Sequence, residues 1–145
     1  MAQEERVRLL VIDDDPDLCE VLRVLSDDHP VVDWIGAASS PEEAVSLSRE
    51  HSPDAILLDY HFFTAEPPEL EDTGGSRRAM RGLSGLEAVE FLRAVAPCAV
   101  IAVYTGTTGL AGSVENSGAD MYLLKGPDPR AALDEVAEHV RRRRS

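Results

Sequence analysis

Short apolar runs that stop on a polar side chain set the rhythm of this sequence. Leu9-Leu10-Val11-Ile12 stops on Asp13 and Asp14, and Ala55-Ile56-Leu57-Leu58 stops on Asp59. Val100-Ile101-Ala102-Val103-Tyr104 stops on Thr105, and Met121-Tyr122-Leu123-Leu124 stops on Lys125. Unbroken apolar runs of this length suit strands covered on both faces. Between them lie helical patterns with start signals. Asp15-Pro16 opens a helix whose stripe is Leu18, Val21, Leu22 and Leu25, and His29-Pro30 ends it. Val31 to Gly36 is rich in strand formers, and Ser40-Pro41-Glu42-Glu43 reads as a capping box for a helix running to about Glu50. Ser84-Gly85-Leu86-Glu87 is a second box, opening a helix with Ala88, Phe91, Leu92 and Val95 inward until Pro97 breaks it. Asp128-Pro129 caps a last helix carrying Leu133, Val136, Ala137 and Val140. Strand and helix alternate through five βα units, which predicts a parallel sheet with helices on both faces and right-handed crossovers.

Two stretches break that rhythm. Between Asp59 and the helix near Ser84 lie about two dozen residues where such a connection normally takes two to six. They run from His61-Phe62-Phe63 through acidic Glu66 to Asp72, then Gly74-Gly75, then Arg77, Arg78 and Arg81. Prolines, glycines and divided charge deny the stretch a core of its own, so 61–83 reads as a long inserted loop. The second break holds Gly106, Gly109, Gly112 and Gly118 where a fourth helix belongs, so that helix is expected to be short and soft.

At 145 residues, 43% hydrophobic and 28% charged, the chain reads as one soluble domain, 1–145. No run is long enough to span a membrane, and a net charge of -13 argues against direct nucleic-acid binding. Cys19 and Cys98 read as reduced, buried thiols of a cytoplasmic protein. The carboxyl edge of a parallel sheet is where ligands bind. There the strand ends gather three carboxylates, a hydroxyl and an amine. Two carboxylates about 4 Å apart repel by about 4 kcal/mol at an effective dielectric near 20, which a divalent cation relieves. An all-oxygen donor set with room for water suits Mg²⁺. Asp59, alone on its strand, is the natural nucleophile for phosphoryl transfer, with Asp13 and Asp14 sharing the metal and Lys125 and Thr105 facing phosphate oxygens.

Four segments carry a family resemblance: Leu10-Val11-Ile12-Asp13-Asp14-Asp15-Pro16, Pro53-Asp54-Ala55-Ile56-Leu57-Leu58-Asp59, Tyr104-Thr105-Gly106, and Gly118-Ala119-Asp120-Met121-Tyr122-Leu123-Leu124-Lys125. The chain resembles the receiver domains of two-component response regulators from Leu9 to about Val140. The resemblance implies a flavodoxin-like, doubly wound five-stranded sheet of order 2-1-3-4-5. It also implies that Asp59 is the phosphoacceptor and that Asp13, Asp14, Asp59 and the His61 backbone carbonyl hold Mg²⁺. Thr105 and Lys125 would bind phosphoryl oxygens, with Thr105 and Tyr122 acting as the switch. The implied partners are a histidine kinase or phosphotransfer protein and a downstream protein target, with self-phosphorylation and self-dephosphorylation the only chemistry.

The sequence departs from that family in its long 61–83 insertion, in its glycine-rich fourth helix, and in Gly126, which stands where a proline with a cis peptide is usual and so calls for a trans bond. The competing reading is a phosphorylation-independent adaptor that keeps the fold. A phosphatase of the haloacid-dehalogenase type shares the Asp-x-Asp spacing of Asp13 to Asp15, but no second acidic motif follows near the C-terminus. The run Arg141 to Arg144 reads as complementing the dipole of the last helix.

Overall fold

The computed structural model describes residues 6–60, 85–106, 108–109 and 111–144. Five strands form one parallel sheet: β1 (Val7–Ile12), β2 (Val32–Ala38), β3 (Ala55–Leu58), β4 (Val100–Thr105) and β5 (Met121–Leu124). Their order is β2-β1-β3-β4-β5, the flavodoxin-like arrangement. The helices are α1 (Pro16–Asp27), α2 (Pro41–His51), α3 (Gly85–Val95), α4 (Ala111–Ser117) and α5 (Pro129–Arg144).

The central strands β1, β3 and β4 are buried on both faces, with Arg8 the exception, because two separate cores grip the sheet, while the edge strands β2 and β5 are mostly half-buried. On one side Leu10, Ile12, Ile56, Leu58, Ile101 and Val103 pack with Ala88, Val89 and Leu92 of α3 and Val114 of α4. On the other, Val7, Leu9, Val11, Leu57 and Tyr104 pack with Leu22 of α1 and Leu133, Val136 and Val140 of α5. Alternate residues of a strand feed opposite cores, the period of two that pleating imposes. Fully burying one of these branched side chains contributes about 1.5–3 kcal/mol.

The caps behave much as the sequence implies. Asp15 accepts from the backbone N–H groups of Asp17 and Leu18. The Ser40 hydroxyl accepts from the Glu43 N–H at 3.1 Å, but Glu43 reaches back to the Ser39 N–H at 2.8 Å, one residue earlier than the usual box. The helix-α1 stripe needs correction: Val21 is 43% exposed, while Leu22 and Ser26 are buried and Leu18, Cys19 and Leu25 half-buried. The true inner face lies one position round, because α1 packs against both β2 and α5. Cys98 is also not buried; it sits exposed in the turn before β4. The fourth helix has seven residues, in keeping with its glycines. The box at Ser84 and the insertion at 61–83 fall outside the described residues.

Beyond the helix dipole, the arginines ending α5 clasp the amino edge of the sheet. Arg144 pairs with Asp54 at 3.2 Å, and Arg143 lies 3.8 Å from Asp120. Asp120 also binds Arg93 at 2.7 Å and accepts from the Ile101 N–H. These contacts lie at the opposite edge from the acidic residues.

Candidate functional site: an acidic pocket with one lysine

Register explains why distant residues meet. Ile12 pairs with Leu58, so β1 and β3 end side by side, and the Asp59 N–H continues the ladder to the Ile12 carbonyl at 3.0 Å. Asp13 and Asp59 therefore leave adjacent strand tips. One carboxylate oxygen from each of Asp13, Asp14 and Asp59 lies within 4.8 Å of the others. At that spacing a carboxylate pair repels by about 3.5 kcal/mol at an effective dielectric near 20. Asp13 is 3% exposed and Asp59 8%, so water screens them poorly, whereas Asp14 faces solvent.

Lys125 answers this charge. Its ammonium donates to Asp13 Oδ2 at 2.8 Å and lies 3.5 Å from Asp59 Oδ1. Burial pushes this ammonium's pKa down, but the hydrogen bond to Asp13 and the charges of Asp59 and Asp13 outweigh it and raise the value overall. Lys125 is placed from the backbone outward: its N–H donates to the Thr105 carbonyl at 2.8 Å, extending the β4–β5 ladder past Leu124. No peptide bond among the described residues is cis, so Gly126 follows Lys125 through the trans bond expected of it. The second oxygen of Asp13 accepts from the Asp15 N–H at 3.0 Å, locking the carboxylate against the start of α1.

Thr105 is fully buried at the end of β4. Val103, two residues before it, pairs with Tyr122 across the β4–β5 ladder. Thr105 and Tyr122 thus lie on the same face of the sheet, and Tyr122 is half-buried against the α3 and α4 core. The geometry brings together Asp13, Asp14, Asp59 and Lys125; Thr105 is tied to Lys125 through the backbone, Tyr122 shares Thr105's face of the sheet, and His61 lies outside the described residues.

Two features escaped the sequence reading. Tyr104 sits beneath Lys125, with the ammonium 5.8 Å from its ring centroid, within cation–π range. Strand alternation held the signal, because Tyr104 and Lys125 fall on the face opposite Thr105. Burial, and secondarily the carboxylate charge of Asp13, raises the Tyr104 hydroxyl pKa despite the nearby Lys125. The second is Cys19, whose Sγ lies 3.6 Å from the Asp13 carbonyl. Burial first, then Asp13 and Asp15, push its thiol up to about 11, so it is an inert neighbour of the acids at neutral pH.

Chemically, three carboxylate oxygens converging on one point fit a hard divalent cation, and no sulfur or imidazole joins that set among the described residues. The single ammonium fits an anion brought up to Asp59.

No protein-family model matches the chain. It is 30% identical over 135 residues to the nitrate/nitrite response regulator protein NarL of Escherichia coli K12, spanning 92% of this chain and 54% of that protein. It is 31% identical over 140 residues to the DNA-binding response regulator MtrA of Mycolicibacterium smegmatis, spanning 94% and 52%. The chain spans about half the length of the curated relatives it matches. Among solved structures it is similar to a CheY-like response regulator receiver domain from Methanospirillum hungatei, with a TM-score of 0.69, 22% identity, and 97% and 99% of the two chains covered. It is also similar to a response regulator protein from Burkholderia pseudomallei with a phosphorylated aspartic acid, a calcium ion and citrate. There the TM-score is 0.65 and the identity 25%, covering 96% of this chain and 73% of that one.

Proposed function

The chain carries a receiver domain of the two-component response-regulator family, and on that premise we propose that it accepts a phosphoryl group on Asp59 and signals through protein contacts. The observation that carries this reading is the position of Lys125 between Asp13 and Asp59, one ammonium in a pocket of three carboxylates. Such a pocket repels anions unless their charge is met, and Lys125 is the group placed to meet it. A relative with a phosphorylated aspartic acid and a calcium ion supports the same reading.

In the proposed reaction an Asp59 carboxylate oxygen attacks phosphorus as the bond from phosphorus to the donor's histidine nitrogen breaks. The bonding pair leaves with the imidazole, whose second ring nitrogen already carries a proton, so the group departs neutral. Lys125 and the Thr105 hydroxyl then bind phosphoryl oxygens. Asp13, Asp14 and Asp59, with the His61 backbone carbonyl, would hold Mg²⁺, whose contribution is to neutralise phosphoryl charge. The donor is proposed to be a histidine kinase or phosphotransfer protein in the cytoplasm, and attack of water on phosphorus returns Asp59 to its carboxylate. No other catalytic activity is proposed.

The aspartyl phosphate adds about one to two negative charges. Moving a two-state element from mostly off to mostly on takes about 5.5 kcal/mol of differential stabilisation. Two or three charge-assisted hydrogen bonds, each about 1.5–3 kcal/mol, are of that size. Thr105 and Tyr122 share a sheet face beside the short α4, which makes that helix the element placed to respond.

The test is intact-mass spectrometry after incubation with acetyl phosphate and Mg²⁺, beside Asp59→Asn. A single phosphoryl adduct, lost in the variant and on chelation, is the expected result. If neither an adduct nor beryllofluoride binding is seen, the proposal fails and the phosphorylation-independent adaptor takes its place.

A further inference from the structure

Away from the acidic pocket, one buried titratable side chain joins three elements. His29 lies in the turn between α1 and β2, and its side chain is 4% exposed. Its Nδ1 accepts the Val31 N–H at 3.1 Å, which requires a lone pair on that nitrogen. Its Nε2 lies 2.8 Å from Asp134 Oδ1 on α5, so Nε2 carries the proton and donates it. Both ring nitrogens are thereby satisfied by a neutral imidazole in one tautomer. The turn so held is itself part of the sheet edge: Val31 accepts from the Val7 N–H, and Pro30 accepts from Arg6.

We propose that His29 is a proton-operated clasp in the α1–β2 turn: the neutral imidazole holds the Val31 N–H, and protonation gives up that bond while Nε2–H stays on Asp134 of α5. A second proton has only Nδ1 to occupy. An Nδ1–H would point at the Val31 N–H, donor against donor, and that hydrogen bond must break. The ring cannot keep both contacts by turning over, because one partner is a carboxylate acceptor and the other an amide donor.

The charges around the ring oppose one another. On α5, Asp134 and Glu138 favour the imidazolium, while Arg130, Arg141, Arg142 and Arg144 line the same cleft and disfavour it. On the α1 side, Asp28 lies 3.7 Å from Arg130 and takes up part of that positive charge. Opening of the clasp would free the Val31 N–H and loosen the entry to β2, while the contact to Asp134 holds the ring against α5. The effect is local to α1, β2 and α5 and does not depend on phosphorylation of Asp59.

The experiment is a proton–nitrogen NMR titration of the full chain from pH 8 to 5.5. The Val31 amide resonance is expected to move with the same midpoint as the His29 ring, and its hydrogen exchange, corrected for pH, to quicken about tenfold or more. In Asp134→Asn the ring and the Val31 bond are kept but the anion is gone, so the imidazole should bind its proton several-fold more weakly. In His29→Gln the Val31 resonance should lose its titration. A Val31 amide that stays still while His29 titrates overturns the clasp. So does a His29 ring that stays neutral down to pH 5.5, or an Asp134→Asn midpoint equal to the wild type.

Discussion

Replacing Lys125 by methionine keeps most of the side-chain length and removes the charge, which isolates what the ammonium does. In the native pocket it donates to Asp13 at 2.8 Å and sits 3.5 Å from Asp59. Breaking a buried ion pair by removing one partner costs about 3–5 kcal/mol. Here Lys125 is 28% exposed and Asp14 opens to solvent, so water relieves part of that cost. An expected loss of about 2–3 kcal/mol follows, just below that range. For a domain of this size that is a fall in Tm of roughly 6–10 °C. The assay is urea unfolding in EDTA, read by the fluorescence of the single tryptophan, Trp34. The contrast that isolates the mechanism is a double-mutant cycle with Asp13→Asn. In that background the same substitution should cost less than about 1 kcal/mol, because the nearer acid is already neutral. Equal costs in both backgrounds, or a Lys125→Met variant as stable as the native protein, would show that Lys125 does not compensate the carboxylates.

Three other outcomes are expected. Because Asp13 and Asp59 raise the Lys125 pKa above its ordinary 10.5, the stability from this pair is present below that value and lost as pH rises through the raised one. The gap in urea midpoint between native protein and Lys125→Met should hold steady from neutral pH and narrow only in strongly alkaline buffer; narrowing near pH 8 would contradict the sign. With a thiol pushed up to about 11, Cys19 should resist alkylation. Its thiolate fraction at pH 8 is about one in a thousand, so peptide mapping after iodoacetamide should find exposed Cys98 modified first. Ser48 is fully buried and its hydroxyl has no hydrogen-bond partner among the described residues, so Ser48→Ala should fall within about 0.5 kcal/mol of the native protein or above it; a loss beyond 1 kcal/mol by thermal unfolding would show that the hydroxyl is bonded.

The sheet was legible because its central strands are short and mostly apolar. Ala55–Leu58 is buried at every position, and such a run has one place to go in an alternating chain. Helix faces were read less well where one helix serves two neighbours. In α1 the 3.6 period places Val21 beside Leu18 and Leu22, yet Val21 and Val24 face solvent while Cys19 and Ser26 turn inward. Ser26 is tolerated there because its hydroxyl donates to the Leu22 carbonyl at 2.8 Å, hiding a polar group inside the helix's own hydrogen bonding. Hydropathy marks serine as surface and has no access to that bond. The same blindness applies to Cys98, whose apolar neighbours suggested burial but whose place in a turn exposes it.

The acidic pocket was legible in membership and not in pairing. Strand ends named Asp13, Asp14, Asp59, Thr105 and Lys125, because a parallel sheet delivers every carboxyl end to one edge. Which acid holds the lysine depends on offsets finer than a strand end. Lys125 follows β5 at the sheet's edge, and Asp59 lies on a strand nearer to it than the one bearing Asp13. Strand order alone would favour Asp59, yet the ammonium reaches past it to Asp13. Two local facts favour that choice. Asp13 is fixed by the Asp15 N–H, which leaves its other oxygen turned into the pocket, and Tyr104 supports the lysine on its way there. Neither is visible in the spacing of acids along the chain. The distribution of charge therefore follows from the start of α1 and the underside of β4, and replacing Tyr104 should move Lys125 between the two acids without touching either.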